Sequence, residues 1–140
     1  MRTKLQYAKL TWPEVQIAAE ADLVIIIPVG AIEQHGPHMP LDTDILIAST
    51  ICEGAVAKAD GTALLFPPLS FGYESHHMDF PGTIDIQWDT FVHYGLCVTR
   101  SLAHHGFRHI LLVNGHGSNR PLIDMIARLT TVNDPRVLCA

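Results

Sequence analysis

Seven consecutive apolar residues, Leu23 to Val29, end abruptly at Gly30. A run this short does not cross a bilayer, which takes about 20 residues of helix. It also lacks the polar alternation of a half-exposed strand. It reads as a β-strand buried on both faces, and such strands belong to parallel sheets covered by helices on each side. The rest of the chain therefore has to supply neighbouring strands and two layers of helix.

The flanking patterns do so. Thr11-Trp12-Pro13-Glu14 is a capping box with proline in the first turn, which predicts a helix to about Ala19. Asp44 to Lys58 has apolar residues at helical spacing and stops at Asp60-Gly61. Ala63 to Phe66 reads as a second strand, and Leu69 to Trp88 as a long irregular segment. Asp89 is expected to cap a helix to about His105, with Gly106 just past its end. His109 to Val113 is a third strand, Asn119 to about Thr131 a helix, and Val137 to Cys139 the start of a fourth strand. Strands alternating with helices predict an α/β protein, a three-layer α/β/α sandwich on a mostly parallel sheet.

The 140 residues fit one domain, residues 1–140, with a globular composition of 48% apolar and 16% charged residues. A net charge of −5 argues against nucleic acid as a partner, because nothing offsets a run of phosphates. Met1 to Leu10 has no apolar signal core, so a cytoplasmic protein with no membrane association is expected. Cys52, Cys97 and Cys139 form no C-x-x-C pair, and Cys52 and Cys97 fall in apolar helical patterns expected to bury them. The chain stops at Ala140, inside the fourth strand, which predicts a longer protein with its C-terminal part missing here.

Nine histidines match the nine lysines and arginines combined, and their placement matters more than their number. In a doubly wound sheet ligands bind beyond the carboxyl ends of the strands, and three unusual segments fall near such ends. Gly30 to Asp44 packs two histidines and several carboxylates into a Gly- and Pro-rich loop; Glu33 and His35, two apart, share a side of any extended stretch. Asn114-Gly115-His116-Gly117-Ser118-Asn119 turns from the third strand into a helix, and Gly72 to Ile84 is long enough to read as functional. Mixed carboxylate and imidazole donors suit zinc, manganese or iron. Two such ions sharing a carboxylate hold a metal-activated hydroxide against a carbonyl or amidine carbon. Asp42 reads as a helix cap, and His93, His104, His105 and His109 as surface or packing residues; His38, His76 and His77 stay open.

At these residues the chain resembles the creatininase (creatinine amidohydrolase) family. The matching motifs, in order, are Glu33-Gln34-His35-Gly36-Pro37-His38 with Asp44, then Ser75-His76-His77 with Phe80-Pro81-Gly82-Thr83, then Asn114-Gly115-His116-Gly117. The resemblance implies a metal-dependent amidohydrolase that cleaves an amide, cyclic amide or formamide C–N bond of a small molecule. It implies two divalent ions, Glu33, His35, Asp44 and His116 as ligands with Asp44 as the bridge, and a homo-oligomer, often a hexamer. Ser75, His76, Gly117 and Ser118 are the candidate substrate contacts; no catalytic acid or base is assigned. Ser118 departs from creatininase proper, which has a ligand glutamate there, so the missing ligand is expected from elsewhere, beyond Ala140 among other places. These 140 residues alone are accordingly expected to bind metal without turnover. Two other readings compete. A metallophosphatase is disfavoured because no phosphate cradle or Arg/Lys cluster accompanies the donors. The other is a metal-binding or structural remnant without catalysis.

Overall fold

The structure, a computed structural model, describes residues 5–140. In chain order it runs α1 (Trp12–Glu20), β1 (Val24–Val29), α2 (Thr43–Lys58), β2 (Ala63–Leu65), α3 (Trp88–His104), β3 (His109–Asn114), α4 (Arg120–Asn133) and β4 (Leu138–Cys139). The four strands form one parallel sheet in the order β2-β1-β3-β4. β1 therefore lies in the interior, as its unbroken apolar run requires. Pro28 is tolerated there because its carbonyl faces the β2 side and takes the Leu69 N–H at 2.9 Å, past the last paired residue of β2 at Leu65. A missing N–H on that side breaks no rung of the ladder.

Alternate residues of β1 feed two separate cores. Ile25, Ile27 and Val29 join Phe91, Leu96, Leu102, Phe107, Ile110, Ile126 and Val137 beneath α1, α3 and α4. Ile26 packs instead with Cys52, Val56 and Ala63 under α2. The α/β/α layering is thus present but uneven, and Leu111 of β3 and Leu138 of β4 stay exposed. Between α3 and α4, Thr99 and Thr130 are buried and satisfy each other through a 2.7 Å hydroxyl hydrogen bond. Among the described residues, no helix is long and apolar enough to cross a membrane.

The capping box forms as expected, with Thr11 N–H donating to Glu14 Oε2 at 2.7 Å. Gly106 takes φ +100°, the left-handed stop predicted after α3. Three expectations are corrected. Gln87, not Asp89, occupies the N-cap of α3; Asp89 lies one residue inside the helix, where Oδ1 takes only the neighbouring Thr90 N–H. Asp42 sits at the N-cap of α2 but its side chain makes no capping bond. Cys97 is exposed, because the buried stripe of α3 runs through Phe91, Gly95, Leu96, Thr99 and Leu102 and turns Cys97 outward.

Candidate metal centre

The connection from β1 to β2 lies on one face of the sheet and that from β3 to β4 on the other. The carboxyl ends of β1 and β3 are consequently the switch point, where loops diverge and leave a crevice. Three segments close over it. The first leaves β1 at Gly30 and folds on itself, Glu33 N–H donating to Leu41 O at 3.0 Å, before Asp44 opens the first turn of α2. The second leaves β3 at Asn114, whose side chain takes His116 N–H at 3.2 Å and donates to His116 O at 2.6 Å, so the turn is rigid. Gly115 brings this turn against α2: a Cβ there would meet the Asp44 carbonyl oxygen at 2.5 Å.

The third is the long segment between β2 and α3. Ile84 N–H donates to Ile32 O at 3.0 Å, and Ile86 N–H to Gly72 O at 2.9 Å, which pins both sides of the segment to the exit of β1. Asn119, fully buried, ties it to the rest by donating to Gly30 O at 2.9 Å and accepting the Tyr73 N–H at 3.0 Å. Gly72 is required at this crossing, since a Cβ would lie 2.7 Å from both the Asn119 side chain and Gly30 O.

These constraints bring together the four predicted metal residues. Glu33, Asp44 and His116 are buried and His35 is partly so. His35 Nε2 lies 3.1 Å from Asp44 Oδ1; His116 Nδ1 lies 2.8 Å from Asp44 Oδ2 and 3.0 Å from Glu33 Oε2. Each histidine is held from behind by a carbonyl, which can only accept: His35 Nδ1 at 3.1 Å from Glu33 O, His116 Nε2 at 3.2 Å from Tyr73 O. The rear nitrogens must therefore carry the protons. In the neutral ring the front nitrogens then present lone pairs to carboxylates. Acceptor facing acceptor is stable only with a cation between, either a proton or a metal ion. The same geometry shifts His35: burial lowers its pKa, but the Glu33 carbonyl and the Asp44 and Glu33 carboxylates outweigh this and leave it raised.

Glu74 and His77 complete the cluster, and sequence reasoning assigned no role to Glu74. Its carboxylate is fully buried, and no donor reaches either oxygen in hydrogen-bond geometry. Imidazoles do crowd it at ion-pair range: His77 Nδ1 at 2.6 Å from Oε1, His76 Nε2 at 3.3 Å from Oε1, and His116 Nε2 beside Oε2. His77 Nδ1 also lies 2.5 Å from Glu33 Oε1. Burial pushes the Glu74 carboxyl upward, only partly opposed by His116, and Glu33 pushes it the same way. Of the other candidates, Ser75, His76 and Gly117 are exposed at the rim and Ser118 is partly buried beside His116. His38, His93, His104 and His105 are exposed away from the cluster, while His109 pairs with Asp22 at 3.2 Å.

The donor set fits a divalent transition metal: imidazole and carboxylate atoms of Glu33, His35 and Asp44 lie within 4.8 Å of one another, as do those of Glu33, Glu74 and His116. A doubly wound sheet with such a cluster at its switch point is an α/β fold with its ligand-binding crevice at the strand ends. The family match is to creatinine amidohydrolase over residues 8–139, and the chain belongs to this creatininase family. It is 39% identical over 121 residues to a creatinine amidohydrolase of Pseudomonas putida, covering 82% of this chain and 46% of that one. A mycofactocin precursor peptide peptidase of Mycolicibacterium smegmatis is 39% identical over 104 residues, covering 69% and 40%. A solved structure named Creatininase Mn superposes with a TM-score of 0.86 at 33% identity, covering 93% of this chain and 52% of that one. The chain thus spans about half the length of the relatives it matches.

Proposed function

We propose that this chain carries the metal centre of a hydrolase that cleaves a non-peptide amide, cyclic amide or formamide C–N bond in a small molecule. The observation that carries the reading is the pair of carbonyl-backed histidines, His35 and His116, whose front nitrogens face Asp44 and Glu33. Family membership supports the reaction class, and the manganese creatininase supports the kind of ion. Glu33, His35, Asp44 and His116 are the residues proposed to hold the metal, with two ions of zinc, manganese or iron as the count and identity. Bound there, a divalent ion supplies a Lewis acid and lowers the pKa of water toward neutrality.

The remaining work falls to the protein. The Glu33 and Tyr73 carbonyls fix the imidazole tautomers, and Asn119 locks the Gly30 and Tyr73 backbones across the crevice. Ser75, His76, Gly117 and Ser118 are proposed to meet the substrate from the rim. A homo-oligomer, as the family resemblance implies, is part of the same proposal.

The test uses the protein expressed from its natural reading frame and loaded with zinc or manganese. Released amine is measured with a cyclic amide, a formamide and a short peptide. Turnover of the cyclic amide or formamide that a chelator abolishes and added metal restores is expected. Preference for the peptide would redirect the substrate class toward that named for the mycobacterial relative. No turnover of any of the three by fully loaded protein would favour the metal-binding protein without catalysis.

A further inference from the structure

The segments that border the crevice, residues 30–44, 72–86 and 114–119, carry six carboxylates and no lysine or arginine. Four of the six are engaged. Glu33, Asp44 and Glu74 face the imidazoles, and Asp85 takes the Glu74 N–H at 2.7 Å and the Gln87 side-chain amide at 2.8 Å. Asp42 and Asp79 remain. Both are exposed, and among the described residues neither side chain has a hydrogen bond or an ion pair. Asp42 stands two residues from Asp44 and Asp79 two residues from His77, so at most about 7 Å of chain separates each from the cluster. That is within the screening length of physiological salt, about 8 Å. The two stretches lie side by side, since a Cβ at Gly82 would come 2.6 Å from Leu41 Cδ1. Their exposed large hydrophobic side chains are Met39, Leu41, Met78 and Phe80.

Fixed charge at the mouth of a cleft gathers ligands of opposite sign and holds off those of its own sign. A cation at the centre would compensate the buried carboxylates but not this outer pair, which an approaching anion meets first. A phosphate site supplies arginine forks, lysines or a nest of N–H groups. Along the chain the nearest basic residue is Arg120, exposed at the first residue of α4, and one cation does not offset two carboxylates. We propose that Asp42 and Asp79 set the charge specificity of this centre. Its substrate is a neutral or cationic amide with an apolar flank, which Met39, Leu41, Met78 and Phe80 would meet, and phosphate esters are rejected. The inference rests on the hydrolase reading above and deepens it.

The experiment gives the zinc-loaded protein, expressed from its natural reading frame, three matched aryl substrates. They are built on whichever parent it hydrolyses, formamide or cyclic amide, and differ only in a methyl, trimethylammonium or phosphate substituent on the ring. Mildly alkaline pH, above the ordinary imidazole range, keeps imidazolium out of the comparison. The readout is kcat/KM, because unproductive binding of phosphate to the metal lowers kcat and KM together and leaves their ratio alone. At low ionic strength the cationic form should exceed the phosphate form by at least about tenfold, and added salt should shrink the gap. In the double variant Asp42→Asn with Asp79→Asn that ratio should fall toward one and lose most of its salt dependence. A merely structural role for the two residues would lower all three substrates together. Faster or equal hydrolysis of the phosphate form overturns the proposal and leaves the hydrolase reading standing. So does an unchanged charge ratio and salt dependence in the folded double variant. Turnover of none of the three by loaded protein overturns the hydrolase reading, and this proposal with it.

Discussion

Phe91, in the core beneath the sheet, and Glu74, at the carboxyl ends of the strands, are each 0% exposed to solvent. Around Phe91 every buried neighbour in the cluster is apolar, and burial itself stabilises at about 25 cal/mol per Å². Around Glu74 the neighbours are three imidazoles, those of His76, His77 and His116, and the Glu33 carboxylate, and burial without a counter-charge destabilises. The first region needs nothing from solution to be a good structure. The second becomes one only when something positive joins it. Equal burial therefore stabilises the fold in one place and, in the other, leaves a charge to be compensated, as the metal reading proposed above requires.

The two regions should respond differently to truncation and to metal. The largest effect on stability belongs to the apolar core: Phe91→Ala is expected to cost about 3–5 kcal/mol by denaturant unfolding. That loss should be the same with metal and with chelator, since the residue belongs to the apolar core and not to the metal cluster; a loss that vanishes on adding metal would break the contrast. A smaller effect is expected at the seam. In Gly115→Ala the new methyl would meet the Asp44 carbonyl 2.5 Å away, so backbone must move on one side of the centre. The strain should cost about 1–3 kcal/mol in unfolding experiments. Because the displaced groups carry Asp44 and His116, zinc affinity should fall with stability. Wild-type affinity in that variant would show that the centre tolerates the shift, and that the close approach serves packing alone.

The same contrast explains what the sequence revealed. β1 was legible because seven apolar residues ending at a glycine have few alternatives, and α1 because a capping box satisfies helix N–H groups locally. Asp89 misled because an Asp near a helix start looks like a cap, whereas the actual boundary is set two residues earlier by Gln87. Cys97 misled because a generally apolar helix does not announce which stripe is buried. At the site, Glu33, His35, Asp44 and His116 lie in motifs next to strand ends, where chemistry and topology coincide. Glu74 lies amid a long irregular segment with no period and no strand end to recommend it. Its burial follows from tertiary bonds alone, Ile84 to Ile32, Tyr73 to Asn119 and Glu74 N–H to Asp85 at 2.7 Å. Only one clue was present: that segment was too long to be a mere connection.

The central claim is that the crevice at the ends of β1 and β3 is a metal site built on Asp44 and His116. Metal analysis of the purified wild type beside Asp44→Ala and His116→Ala tests it most directly. Each substitution removes a donor that faces at least two others. Bound zinc or manganese should be present in the wild type and largely lost from both variants, with each still folded by circular dichroism. Unchanged metal content in both folded variants would contradict the account, and the buried histidines would then have to carry protons in place of an ion.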